Sequence, residues 1–288
     1  MKAEGAIAVW RPGLLGLCLL LLSSLLHAAQ TLHYFPAGPI YAYRWKVLEL
    51  ALAHAPAGGP LTLQPFAGEL SQDRAMQLLQ GGAGIDVLAL GTNVEREARM
   101  LPVKIDISRG MVGFRVLIIR AATVQRFAGL DLAGLRRLHF GLNEAWADVP
   151  IMEANGLSVV KASGYENLFR MLAAARFDAF PRGLNEAQRE LLQRRAQFPQ
   201  LMLEPSLALY FPYPVYFWVR KDNPALAQRI ERGLKLALAD GSLRRLFEQY
   251  HAVEIAALRA HPRRVLQLNN PILPAGDPLP DTSWWWRQ

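Results

Sequence analysis

The sequence predicts an α/β protein of two lobes, each a mostly parallel sheet flanked by helices. Two observations predict it. A β-α-β-α-β order runs from Leu32 to Leu90, and the same order returns from Leu138 to Phe180. That alternation builds parallel sheets covered by helices. Between the two units Phe114 to Arg120 is a strongly apolar strand, placed where the chain would cross from one lobe to the other.

The elements follow from local chemistry. Leu32-His33-Tyr34-Phe35 is short and aromatic and ends at Pro36, a strand signature. From Tyr43 to His54, Val47, Leu48, Ala51 and Leu52 recur at helical spacing, and Gly58-Gly59-Pro60 breaks the helix. Leu61 to Phe66 alternates apolar with polar residues, as a strand does. Ser71 caps a helix to Gln80, which Gly81-Gly82 ends. Ile85 to Leu90 is a buried strand.

In the second unit Leu138 to Gly141 is a strand. Asp148 caps a short helix with Pro150 in its first turn and Gly156 at its end. Leu157 to Ala162 is a strand, Tyr165, Leu168, Met171 and Leu172 form a helix face, and Phe177 to Phe180 is a strand. Val215 to Arg220 reads as a further strand. Asn223-Pro224 starts a helix that stops near Asp240-Gly241, and Ser242 caps another through Tyr250. From His261 the chain is Pro-rich, ending in Ser283-Trp284-Trp285-Trp286-Arg287-Gln288. An extended tail over one lobe is expected.

Composition narrows the function classes. The chain has 288 residues, 52% hydrophobic and 19% charged, with a net charge of +8. That excludes a disordered chain. A single cysteine, Cys18, excludes an intramolecular disulfide and a thiolate zinc site. The positive charge is spread out, so it favours anionic partners without indicating nucleic acid. His33, His54, His139, His251 and His261 have no metal-ligand spacing, and no nucleotide or nucleophile-elbow motif stands in its required context.

Lys2 and Arg11 precede an apolar run from Leu14 to Leu26, followed by His27-Ala28-Ala29. A charged start, about 7–15 apolar residues and small residues at the end describe a secretory signal peptide. Residues 1–29 are read as that leader, carrying Cys18 away, and the protein as periplasmic; an uncleaved leader would anchor it to the membrane instead.

Four segments carry a family resemblance. They are Ile85 to Gly91 with Glu95-Arg96, Leu130 to Gly134 with the strand to Gly141, Gly164 to Ala179, and Pro214 to Tyr250 with Arg220-Lys221, Asn223-Pro224 and Asp240-Gly241-Ser242-Leu243. In these the chain resembles periplasmic solute-binding proteins of family 3, the exported receptors of amino-acid-type ABC transporters. The resemblance implies the type II periplasmic-binding-protein-like fold, with a ligand cleft between hinged lobes. It assigns 30–118 and 209–251 to lobe 1, 119–208 to lobe 2 and 252–288 to a tail.

The resemblance also points to site residues. Arg96 matches the family arginine that meets a ligand carboxylate, a task suited to the two parallel bonds of a guanidinium. Arg182 and Glu186 follow a buried strand, at the end where open α/β sheets bind ligands. Thr92 and Asn143 lie at similar strand ends. Among the loop aromatics Tyr41, Tyr43, Trp45, Trp146 and Tyr213, those rated first are Tyr41 and Trp146, and Arg115 opens the crossing strand. Departures from the family at Gly141-Leu142-Asn143-Glu144 and Pro181-Arg182-Gly183 leave the usual amino-acid partners without counterparts.

The expected function is capture of a small polar, anionic solute, without catalysis, cofactor, metal or nucleic acid. The expected partner of this monomer is an ABC permease or a membrane sensor. The alternatives are a dehydratase-like enzyme using Glu186 or Glu144 as acid or base, and a sensor that regulates a signalling protein.

Overall fold

Residues 30–57 and 59–287 are described by a computed structural model. The leader read at 1–29, with Cys18, lies outside the described residues.

The first lobe starts with β1 (Gln30–Tyr34), a 3-10 turn at Pro39–Tyr41, α1 (Ala42–His54) and β2 (Leu61–Pro65). It continues through α2 (Gln72–Gln80), β3 (Leu88–Gly91), α3 (Val94–Arg99) and β4 (Leu101–Val103). β1 and β2 pair in parallel. A bridge from Tyr34 to Val87 carries the sheet on towards β3. The Ser71 cap is present, its hydroxyl accepting from the Arg74 amide.

β5 (Phe114–Arg120) leads into the second lobe. There α4 (Leu132–Leu135), β6 (His139–Asn143), α5 (Asp148–Ala154) and β7 (Ser158–Ala162) are followed by α6 (Tyr165–Ala173), β8 (Ala179–Gly183) and α7 (Leu184–Arg194). β9 (Leu201–Tyr210) crosses back to β10 (Val215–Val219), and α8 (Pro224–Ala239), α9 (Ser242–Tyr250), α10 (Ala252–Ala260) and β11 (Arg264–Gln267) complete the chain. Sheet order is β3-β10-β4 in the first lobe and β11-β9-β5-β8-β6-β7 in the second.

The sheets are mixed. β10 runs antiparallel to β3 and β4, and β5 runs antiparallel to β8 and β9. These are the strands by which the chain changes lobes, so reversal is the consequence of crossing and returning. The return strand β9 is not legible as a strand because Glu204-Pro205-Ser206 interrupts it. The Glu204 carboxylate, almost fully buried, accepts from Ser206 and the Leu207 amide, and the β5–β9 register shifts beside it. The side chain folds the interruption into a bulge.

Two expected caps are replaced. Ala147, not Asp148, holds the cap position of α5, because the Asp148 carboxylate faces Arg115 instead. Gly241, in the left-handed region with φ 74°, caps α9, and Ser242 becomes its first residue.

The C-terminal segment also differs from an extended tail. It contains α10, and β11 pairs in parallel with β9. Beyond β11 the Leu268 amide donates to Tyr210 O (2.8 Å) and Asn270 Nδ2 to Pro212 O (2.7 Å). The chain then reaches the first lobe, where Lys104 meets the buried Asp277 carboxylate at 2.6 Å and Trp285 Nε1 donates to Arg109 O at 2.8 Å. Trp285 and Trp286 stand edge-on to Phe114, with centroids 5.4 and 5.2 Å away. The Trp-rich end therefore docks on its own chain, where β5 and β9 begin and end.

The core has one large cluster spanning both lobes and two smaller ones. α1 and α8 approach closely at Gly233. A methyl group there would sit 1.8 Å from Ala51 O.

Candidate functional site

Between the lobes lies a cleft of about 780 Å³. Pockets for small molecules occupy roughly 300–1,000 Å³. The cleft is lined by Tyr41, Arg96, Arg115, Trp146, Arg182 and Glu186, six of the eight residues expected from sequence. Thr92 is elsewhere. It is fully buried, its amide donating to Pro214 O and its hydroxyl to Glu97 at 3.4 Å. Asn143 lines an adjoining cavity instead, with Trp146 and Arg182, and its side chain accepts from the Ala145 amide at 3.0 Å.

The second-lobe wall is a chain of buried ion pairs. Arg115, the second residue of β5, meets Asp148 through Nε at 2.8 Å and Nη2 at 3.0 Å. Both side chains are buried, and Arg115 also lies 3.9 Å from Glu186. Arg182 on β8 holds Glu190 with two bonds of 2.8 and 2.6 Å and Glu186 with one of 3.0 Å. Glu186 sits in the first turn of α7, where it accepts the Gly183 amide and the Tyr41 hydroxyl. Such pairing is what makes charged groups tolerable away from water. Trp146 stacks parallel to Phe180 at 6.0 Å, with the Arg182 guanidinium 4.6 Å above it.

These neighbours set the protonation states. Burial opposes ionisation of Glu186, but Arg182, Arg115 and Arg44 outweigh it and hold its carboxyl below the usual range. Burial would lower Arg182, yet Glu186 and Glu190 raise it well above its ordinary value. The Glu186 carboxylate, with burial, pushes the Tyr41 phenol up to about 12. A general acid needs a carboxyl shifted upward. Glu186 is shifted the other way, and Glu144 is exposed and outside the cleft lining.

The first-lobe wall is different. The Arg96 guanidinium donates to Gly91 O at 2.5 Å and to the Tyr213 hydroxyl at 3.4 Å. Asn93 caps α3 and fixes the start of this turn by accepting the Arg96 amide at 2.7 Å. Beside it Arg44 donates to Ala89 O at 2.8 Å and lies 4.2 Å above the Tyr41 ring. Burial lowers the affinity of Arg44 for its proton, and Arg96 adds to this; Tyr41 and Glu186 oppose it.

Arg44 and Asp148 were not among the residues expected to line the cleft. A signal for both was present. Arg44 shares a helix face with Val47, Leu48 and Ala51, and Asp148 with Ile151 and Met152, so each places a charge at a core-facing position. Among the described residues no cluster of three or more His, Cys, Asp or Glu side chains is arranged to hold a metal ion.

No protein-family model and no curated protein matches the chain. Solved structures do. A Salmonella typhimurium periplasmic binding protein described as having high arginine specificity aligns at 17% identity with a TM-score of 0.54, covering 77% of this chain and 99% of that one. A histidine kinase sensor domain with similarity to periplasmic binding proteins aligns at 14% and 0.55, covering 78% and 95%. An ancestral amino-acid-binding protein, described as a precursor of cyclohexadienyl dehydratase, aligns at 11% and 0.55, covering 77% and 94%. The chain therefore has the two-lobed periplasmic-binding-protein fold, as the family resemblance implied.

Proposed function

We propose that this chain is a divergent family 3 solute-binding protein that captures a small polar, anionic solute between its lobes and delivers it to an ABC-type permease. One observation carries the reading. Arg44 and Arg96 both line the cleft, and neither has a carboxylate partner among the described residues. A guanidinium carries five N–H donors, and the bonds named above use only some of them. The remaining donors are suited to an oxyanion.

The lobes would close about β5 and β9, with Arg96 and Arg44 on one side and Trp146 on the other. The protein works in the periplasm, an assignment supported by the leader-like residues 1–29 and by the periplasmic binding proteins that share the fold, and it would act there as a monomer. Binding without turnover is supported by the ionised, fully paired state of Glu186. A thermal-shift screen of amino acids, carboxylates, sugars and polyamines tests the reading. An anion should raise the melting temperature by mass action. Stabilisation by sugars or polyamines alone would overturn it.

A further inference from the structure

The charges of the cleft are unequally compensated. Asp148 accepts from Arg115 Nη2 with one oxygen and lies in ion-pair contact with Arg115 Nε through the other. Glu186 has one oxygen facing Arg182 and the Gly183 amide and the other on the Tyr41 hydroxyl. Glu190, behind Arg182, has both oxygens bound by that guanidinium. The remaining carboxylate of the lining, Glu69, sits on the exposed rim. Every buried carboxylate at this wall is thus bound by donors of the chain itself.

The guanidiniums of the opposite wall are not. Arg44 is anchored on Ala89 O and Arg96 on Gly91 O, alternate carbonyls on the same edge of β3. Carbonyls two residues apart on a strand are roughly 7 Å apart, so the two cations are anchored side by side on one strand edge, near enough for the charge of Arg96 to lower the proton affinity of Arg44. An α-ammonium entering the same cleft would find its buried carboxylates, Asp148 and Glu186, already paired with Arg115 and Arg182 and would have to compete with those guanidiniums for them, whereas a buried ammonium without a partner is strongly disfavoured. Aromatic residues, Tyr34, Phe35, Tyr41, Trp45, Trp146 and Tyr213, also line the cleft.

Resting on the binding reading above, we infer that the guest is a small monocarboxylate with an apolar or aromatic body and no ammonium group, its carboxylate set between Arg44 and Arg96. The carboxylate then meets two cations, and the body lies against the aromatic wall. The cleft would thereby reject the amino acids named in the descriptions of similarly folded proteins.

Matched pairs that differ in the amino group test this on the unaltered protein. 3-Phenylpropionate is compared with L-phenylalanine, and 4-methylpentanoate with L-leucine, by isothermal titration calorimetry. The carboxylate of at least one pair should bind at least about tenfold more tightly than its amino acid. Arg44→Gln should weaken that carboxylate by about tenfold. Equal or tighter binding of the amino acids would overturn the inference while leaving the anion-binding reading standing. Unchanged carboxylate affinity in Arg44→Gln would remove the carboxylate from its assigned place. No binding in either series, with a sugar or polyamine bound instead, would overturn the inference and the anion reading together.

Discussion

Replacing Asp148 by Asn leaves the Arg115 guanidinium buried without its main counter-charge. Both side chains are at most 10% exposed, and the pair is held by contacts of 2.8 and 3.0 Å. Removing one partner of such a pair costs about 3–5 kcal/mol, because the other remains charged and desolvated. Glu186, 3.9 Å from Arg115, retains part of the compensation, so about 2–3 kcal/mol is expected. The double substitution Arg115→Met with Asp148→Asn removes both charges and should lie within about 1 kcal/mol of the parent. Urea denaturation of the parent, both single variants and the double variant at neutral pH completes the cycle. A single variant Asp148→Asn as stable as the parent would refute the reasoning, as would a double variant weaker than the sum of the two single ones.

Three further outcomes are expected. Trp285→Ala removes a ring that is 4% exposed and donates to Arg109 O. It should cost about 3–5 kcal/mol in urea denaturation, and a loss below about 1 kcal/mol would mean that the C-terminal segment is not docked. Gly233→Ala should destabilise by about 1–3 kcal/mol through the α1–α8 contact, and unchanged stability would contradict that close approach. Burial, with Arg189, pushes His251 down to about 3, among the rings of Tyr43, Phe247 and Tyr250. The unfolded chain binds this proton below about pH 6.5 while the folded one does not, so stability falls as pH drops from there towards 3. At pH 4.5 the loss is about 2–3 kcal/mol, and His251→Phe should remove that part of the acid sensitivity in paired melts at pH 7 and 4.5.

The architecture was legible where periodicity and punctuation agree. Ser71, Gly81 and Asn223 mark helix ends, and the structure keeps all three. β9 was hidden because its bulge depends on the buried Glu204, whose bonds form only once the sheet exists. Asp148 looked like a cap because capping is a local role, whereas its partner Arg115 is 33 residues away. Six of the eight expected site residues, visible as charges and aromatics near strand ends, do line the cleft. What could not be read was which charges cancel. Arg96, Arg115 and Arg182 look alike in sequence, yet Arg115 and Arg182 are neutralised within the fold while Arg96 is not. Arg44 is legible as a site residue only when its helix face is compared with the buried Val47, Leu48 and Ala51, because a helical arginine otherwise reads as solvated.

The most direct measurement is a crystal structure of the protein with the carboxylate that stabilises it most. That molecule should lie between the lobes, its carboxylate against Arg44 and Arg96 and its body near Trp146. A carboxylate bound outside the cleft, or one contacting a single lobe while the two remain apart, would contradict that placement.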